Sequence, residues 1–362
     1  MKISQVTCSL LRFKLDRPAG GTGVTSVDVI VANAQLDDGA AGLGFSYVVA
    51  GSSAAPFAAA QALAAQLQGR AFDHPEATWR QLAATFNRTR RGPNYVGLAA
   101  IDTALWDAYA KTLGVPLGIA MGGAGGGSAR EVPLYASGGF NTLQSPEEAA
   151  ESAARQSALG FRGVKPRASG KPSDQALLEA VRKAIPDGVE LMTDANEKCT
   201  ALSARRLLAC ATDCGALFVE EPLPADDLAG YRALATAYPR LMATGEHLQG
   251  MAEALPYIEE CLLGMVQPDL AAMGGLTECL RVMRVAEAFG MEASGHFLPG
   301  LFIHLAAAAP NLTWLEDFPL LEPLFTGWPQ MSLQGTLRLP VTPGHGLALA
   351  EDALKRYAIQ TK

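Results

Sequence analysis

Two periodicities divide the chain. Residues 2 to 13 and 26 to 36 alternate apolar and polar positions, and DDG at 37–39 turns the second run into AGLGFSYVV. Period two with a tight turn predicts a three-stranded antiparallel meander. The Gly-rich connection RPAGGTGVTS separates its first two strands. Helical spacing then takes over at about 53–68, 75–87 and 94–113, and the glycine run GGAGGGSA at 122–129 marks a boundary.

Beyond it, short apolar runs alternate with amphipathic stretches. The runs are EVPLYASGG, GFRGVKPR, VELMTDAN, ALFVEEP, RLMATGEH, GMVQPDL, MEASGHF and TWLEDFP. The helix that opens at SPEEAAES has serine as N-cap, proline in the first helical position and glutamates behind it. Eight strands joined by helices over about 190 residues predict an α/β fold with a parallel (β/α) barrel. No G-x-G-x-x-G opens a βα turn, which removes the main signal for a doubly wound sheet. The tail from about 326 is turn-rich and carries no further βα unit, so it is expected to return to the first domain. Residues 1–125 therefore read as an α+β capping domain completed by 326–362, and residues 126–325 as the barrel.

Composition narrows the partners. The 362 residues are 49% hydrophobic and 18% charged, which is globular and excludes extensive disorder. A net charge of −7 gives no electrostatic reason to expect a nucleic acid or an anionic membrane. No apolar run reaches the length of a membrane span, and the start MKISQVTCSLLRFKLD lacks the apolar block of a signal peptide. The expected location is cytoplasmic, and the expected assembly a homo-oligomer of a size the sequence does not give. The six cysteines show no C-x-x-C pair, and Cys210 and Cys214 read as buried thiols on one helical face.

Each barrel run ends in a polar or ionisable group. Strand two offers Lys165 and Arg167, and strands three to eight offer Asp194, Glu220, Glu246, Asp269, His296 and Glu316. Successive intervals from Asp194 are 26, 26, 23, 27 and 20 residues, each about one βα unit. Such groups ring the carboxyl-end mouth, where barrel enzymes keep their chemistry. Three converging carboxylates, Asp194, Glu220 and Glu246, repel unless a cation compensates them. A donor set without sulfur or imidazole suits one hard ion per chain such as Mg²⁺. Within VEEP only one glutamate faces inward, and Glu220 keeps the 26-residue interval, leaving Glu221 to support it. Asp269 and His296 lie at equal depth on neighbouring strands, where a carboxylate can orient an imidazole base. Asn196 shares the strand face of Asp194, and His247 follows Glu246, so both are candidates to touch substrate. The remaining histidines, 74, 304 and 345, read as structural or surface residues.

These segments resemble the enolase superfamily, most closely its mandelate racemase subgroup. The resemblance covers nearly the whole chain. NYVGLAAIDTALWDAYAKTLGVPLGIAMGG is similar to the end of that family's capping domain. MTDAN, FVEEP and ATGEH are similar to its three Mg²⁺-ligand segments, QPDL and SGHF to its Asp–His dyad, and WLED to its strand-eight glutamate. The resemblance implies a (β/α)7β barrel with an N-terminal α+β cap, and abstraction of the proton α to a carboxylate to give an Mg²⁺-stabilised enolate. The family pattern on strand two is Lys-x-Lys, whereas this chain has Lys165-Pro-Arg167. Guanidinium scarcely gives up its proton, so a two-base racemase loses one of its bases.

Dehydration needs one strong base. The expectation is an Mg²⁺-dependent dehydratase of a sugar acid or related hydroxy acid, with His296 as base and Lys165 and Arg167 holding charge. A racemase or epimerase is the nearest alternative. A muconate-type cycloisomerase fits less well, because that subgroup has a strand-six lysine where Asp269 stands. A non-catalytic barrel is the rival of another class. The cap segments RPAGGTGVTS and FSYVVAGSS are expected to close over the mouth and select the substrate.

Overall fold

The computed structural model describes residues 1–15, 23–123 and 130–361. Residues 17–22 of RPAGGTGVTS and 124–129 of the glycine run lie outside the described residues. Strands β1 (Ile3–Lys14), β2 (Ser26–Leu36) and β3 (Ala41–Val48) form the expected antiparallel meander. Its second turn holds Gly39 at φ 91°, a conformation glycine adopts without strain.

Helices α1 (Ala54–Leu67), α2 (Pro75–Ala84), α3 (Pro93–Thr112) and the single turn α4 (Leu117–Ala120) follow. α2 stops three residues short of the sequence expectation, where Thr85 caps it. α3 lies directly on β3 because that strand offers glycines. A Cβ on Gly44 would sit 2.2 Å from the Ala100 carbonyl oxygen, and one on Gly42 2.0 Å from that of Ala104.

The barrel follows in strict alternation. Its elements are β4 (Glu131–Ala136), α5 (Pro146–Ala158), β5 (Gly163–Val164), α6 (Asp174–Ala184), β6 (Glu190–Leu191), β7 (Thr193–Asp194), α7 (Ala201–Asp213) and β8 (Val219–Glu220). Then come α8 (Leu228–Ala235), β9 (Met242–Thr244), α9 (Met251–Glu259), β10 (Met265–Val266), α10 (Leu276–Ala288), β11 (Glu292–Gly295), α11 (Pro299–Ala308) and β12 (Leu312–Asp317).

Apart from β6 and β7, each strand pairs in parallel with the next, and β12 returns to β4. β6 pairs with β5 and β7 with β8; only Met192 separates them, so they are two halves of one strand closing the ring. Eight strands and seven connecting helices make the (β/α)7β barrel. Ser145 caps α5 in a full capping box with Glu148, as SPEE predicts. Tyr135, Met192, Phe218, Ala243 and Met265 form a small apolar cluster of their own among the strands.

The tail divides its contacts. β13 (Phe325–Thr326) pairs with β15 (Ala348–Leu349), β14 (Thr336–Arg338) adds to barrel strand β4, and after α12 (Ala353–Tyr357) β16 (Ala358–Thr361) adds a fourth strand to the cap beside β1. Among the described residues no helix is long and apolar enough to cross a membrane. Cys210 and Cys214 are buried free thiols.

The cap, barrel and tail meet at two buried imidazoles. His304 on α11 accepts from the Gly118 amide (3.2 Å) and donates through Nε2 to the His345 carbonyl (3.2 Å). His345 accepts from the Leu347 amide (3.0 Å) and donates through Nε2 to the Leu43 carbonyl (2.7 Å). Each ring thus has one nitrogen bare by requirement; a second proton would face an N–H. Burial, helped by His345, lowers His304 to about 3, and burial also lowers His345.

A lowered histidine stabilises the fold fully above its unfolded value near 6.5. That contribution is lost as pH falls towards the folded value, at about 1.4 kcal/mol per pH unit. We expect the stability difference between wild type and His304→Gln, read from urea midpoints, to shrink between pH 6.5 and 5. A constant difference across that window contradicts the neutral assignment.

Candidate active site

The barrel ladders are short, and the chemistry-bearing residues stand at or just beyond their last rungs. The chain must turn outward there, and it does so with backbone that ordinary residues seldom adopt. Asn196 (φ 45°), Glu197 (60°), Glu221 (40°), Phe297 (30°) and Leu298 (51°) all have positive φ. Strain concentrated at one rim marks a functional edge. Glycine precedes two of the key side chains for steric reasons. A Cβ on Gly245, before Glu246, would lie 2.7 Å from the Gln267 backbone, and one on Gly295, before His296, 2.0 Å from the Phe302 ring.

Lys165 sits fully buried at the centre. Its ammonium bonds the Glu220 carboxylate, lies 2.7 Å from Glu316 Oε1 and 3.6 Å from Asp194 Oδ2. Burial alone lowers a lysine; the Glu220 and Glu316 carboxylates outweigh it and hold Lys165 well above its ordinary value. Burial raises Glu220 to about 7, even with Lys165 opposing. Gln267 Nε2 also donates to Glu220 Oε2 at 3.0 Å, while Glu220 Oε1 is buried with no hydrogen-bond partner. Glu316 is lowered to about 2, because Lys165 and His296 outweigh its burial, and it accepts the Phe297 amide at 2.9 Å.

Arg167 pairs with Asp194. The guanidinium also donates to Asn196 Oδ1 and Ser137 Oγ, both at 3.2 Å. Asn196 in turn donates its amide to Asp194 Oδ1 (2.8 Å). Ser137 and Gln267 end their strands in small or neutral groups without a titratable signal, and sequence reasoning passed over both.

The dyad is in place. His296 Nδ1 donates to Asp269 Oδ2 at 2.8 Å, and Nε2 faces Glu246 Oε2 at 3.0 Å. Burial lowers this imidazole, but Glu246 and Asp269 outweigh burial and raise it well above its ordinary value. Burial raises Glu246, and His296 and His247 more than reverse it. Tyr47 on β3 donates its hydroxyl to the same Asp269 oxygen and packs edge-on against Phe297, with ring centroids 4.7 Å apart. It belongs to the segment FSYVVAGSS; its register in an alternating strand was readable, but its partner lies 222 residues away.

Glu221 turns aside from Lys165, to Thr244 Oγ1 (3.1 Å) and His247 Nδ1 (2.8 Å). Its hydrogen bond to His247 is the main cause that raises that imidazole to about 9. Possible ligand atoms of Glu197, Glu221 and His247 lie within 4.8 Å of one another, which those of Asp194, Glu220 and Glu246 do not. Each member of the second trio is bonded to a cation of the chain: Arg167, Lys165 and His296 respectively. Its chemistry still fits a hard cation, with oxygen donors only, buried mutual repulsion, and an orphaned oxygen on Glu220.

A cavity of about 400 Å³ opens over this network, walled by Lys165, Arg167, Asp194, Glu246, Asp269 and His296. From the cap, Tyr47, Val49 and Ala50 line it, as expected of FSYVVAGSS. Asn196 and His247 also reach it.

Comparison with known proteins agrees with this architecture. The enolase C-terminal domain-like family matches residues 148–353, and the mandelate racemase/muconate lactonizing enzyme N-terminal domain matches 17–122. The chain belongs to the mandelate racemase/muconate lactonizing enzyme family of the enolase superfamily. L-talarate/galactarate dehydratase of Salmonella typhimurium is 33% identical over 91% of this chain and 82% of its own. D-galactarolactone cycloisomerase of Agrobacterium fabrum is 28% identical over 99% of both. The crystal structure of L-talarate dehydratase from Polaromonas sp. JS666, complexed with Mg and L-glucarate, superposes with a TM-score of 0.91. It is 30% identical, and the match covers 100% of this chain and 98% of that one.

In this family member Lys165 is the counter-charge on which the buried carboxylates depend. Lys165→Met should lower stability of the metal-free protein by about 3–5 kcal/mol, because it leaves Glu220 and Glu316 uncompensated. Urea unfolding at pH 7.5 measures this, and a loss below about 1 kcal/mol contradicts the network.

Proposed function

We propose that the chain is an Mg²⁺-dependent hydro-lyase acting on a sugar acid or related hydroxy acid. The observation that carries this reading is one oriented imidazole, His296 on Asp269, facing the carboxylate set across the cavity while Arg167 fills the second strand-two position. Asp194, Glu220 and Glu246 would hold the ion, which supplies Lewis-acid stabilisation of the enolate.

The chain's own groups do the rest. Lys165 and Arg167 bind the substrate carboxylate and offset its growing charge. His296 removes the α-proton. It is a base only once Glu246 is engaged elsewhere, since that carboxylate now holds it protonated. Asp269, gripped by Tyr47, keeps the imidazole in the tautomer that presents Nε2 to substrate. The imidazolium so formed can return its proton to the departing β-hydroxyl, and the resulting enol tautomerises to a 2-keto-3-deoxy acid. Atoms balance with the loss of one water. The dehydratase relatives support this reading. The cycloisomerase relative defines the rival, a reaction that uses the same first proton transfer without losing water.

The test is to incubate the Mg²⁺-loaded protein with a panel of sugar acids and assay for 2-keto acid. Exchange of the α-proton with D₂O, change of configuration, or lactone isomerisation without keto acid would replace the dehydratase by an isomerase. Chelation should abolish turnover and Mg²⁺ restore it.

His296→Asn is expected to lower kcat by a factor of about 10³ or more, whereas Arg167→Lys keeps part of the activity. The opposite order contradicts the one-base assignment. Tyr47→Phe should reduce kcat about tenfold with KM little changed, since a hydrogen bond to a charged group is worth about 1.5 kcal/mol. An unchanged kcat in that variant removes Tyr47 from the machinery.

A further inference from the structure

Gln267 extends β10 by one rung, its amide bonded to the Thr244 carbonyl at 2.9 Å. Its backbone comes close because Gly245 has no Cβ; one there would lie 2.7 Å from the Gln267 carbonyl. The side chain is fully buried. Both hydrogens of Nε2 are spent, one on Glu220 Oε2 (3.0 Å) and one on the Tyr135 hydroxyl (3.4 Å). Tyr135 lies in turn 3.4 Å from Ser294 Oγ, and both residues are inaccessible to solvent. The amide oxygen of Gln267 is buried with no hydrogen-bond partner. Turning the amide over would set that oxygen against the Glu220 carboxylate, so the carboxylate fixes which way it faces.

Lys165 bonds the same oxygen, Glu220 Oε2. In the ring of strands β5 stands two places from β8 on one side, and β10 two places on the other. Oε2 is therefore held from both flanks. The last torsion of a glutamate is soft and two-fold, so a single contact leaves its two oxygens free to exchange. Two donors on one oxygen remove that freedom, and Oε1 remains the oxygen without a partner. An amide does this without adding charge. A second cation at 267 would neutralise the repulsion that draws in a metal ion, and a carboxylate there would push Glu220 away.

We propose that Gln267 is a positioning residue for the divalent ion: with Lys165 it locks Glu220 so that Oε1 alone meets the ion. The inference rests on the Mg²⁺-dependent reading of the site. A carboxylate confined to one oxygen suits the small, strictly octahedral Mg²⁺, whereas Ca²⁺ accepts carboxylates through one oxygen or two. Gln267 thus sets the choice of ion as well as its affinity.

The experiment measures Mg²⁺ and Ca²⁺ affinities of the full chain by competition with Mn²⁺, followed through the electron paramagnetic resonance signal of free Mn²⁺. The wild type is expected to prefer Mg²⁺. Gln267→Met removes both donors at similar length and should weaken Mg²⁺ about 10- to 100-fold, the usual effect of losing a group that orients a metal ligand. Ca²⁺ should weaken less than about threefold, because the freed carboxylate can offer it both oxygens. Gln267→Asn keeps an amide but ends one methylene short of Glu220. It should show the same shift, and it carries the test if the methionine variant does not fold.

Equal losses for the two ions, the pattern of general damage to the site, overturn the positioning role and leave the hydro-lyase standing. A larger loss for Ca²⁺, or a Mg²⁺ loss under about tenfold, does the same. A wild type that binds Mg²⁺ yet forms no keto acid from any sugar acid overturns the hydro-lyase, while the comparison of the two ions still decides the role of Gln267. Failure of the wild type to bind either ion overturns both.

Discussion

A single ammonium in a dry place governs the organisation of the barrel mouth. Lys165 has carboxylates of Glu220, Glu316 and Asp194 around it, and none of the four is exposed. Charges cost so much to bury that such a set exists only if its members answer one another. The same set still holds more negative charge than Lys165 can neutralise. Arg167 and His296 serve the outer members, and Glu220 keeps an unused oxygen. An electrostatically incomplete interior is a poor device for stability alone. It is well suited to taking a divalent ion and an anionic substrate.

The cap takes part in this chemistry through one side chain. Tyr47 reaches from the antiparallel sheet to the carboxylate that orients His296, while Val49 and Ala50 wall the cavity. Gly42 and Gly44, by letting α3 sit on β3, set the depth to which that strand reaches. A packing constraint in the cap thus fixes a hydrogen bond in the barrel.

Much of this was legible in the sequence because barrels repeat. The regular spacing from Asp194 to His296 follows from one βα unit per rung, so equal intervals imply equal depth. The capping box at Ser145 and the turn at Gly39 are local signals and read directly. What escaped reading were contacts between elements far apart in the chain. Nothing near Tyr47 points to Asp269. Ser137 and Gln267 are neutral, and their value comes from facing Arg167 and Glu220. The sequence also placed three carboxylates together without showing that each is bonded to a cation of the chain. The tail was expected to return to the first domain; its last strand does so, while β14 pairs with the barrel, a choice set by long-range register.

That last strand has a bearing on biosynthesis. β1 leaves the ribosome well before residues 358–361, yet one of its edges stays open until they arrive. Helices and barrel rungs can assemble as they emerge, whereas the cap sheet waits until the barrel segments have been made. Nascent chains therefore carry an unpaired β edge while the barrel is being made, the kind of template on which chaperones and aggregation compete.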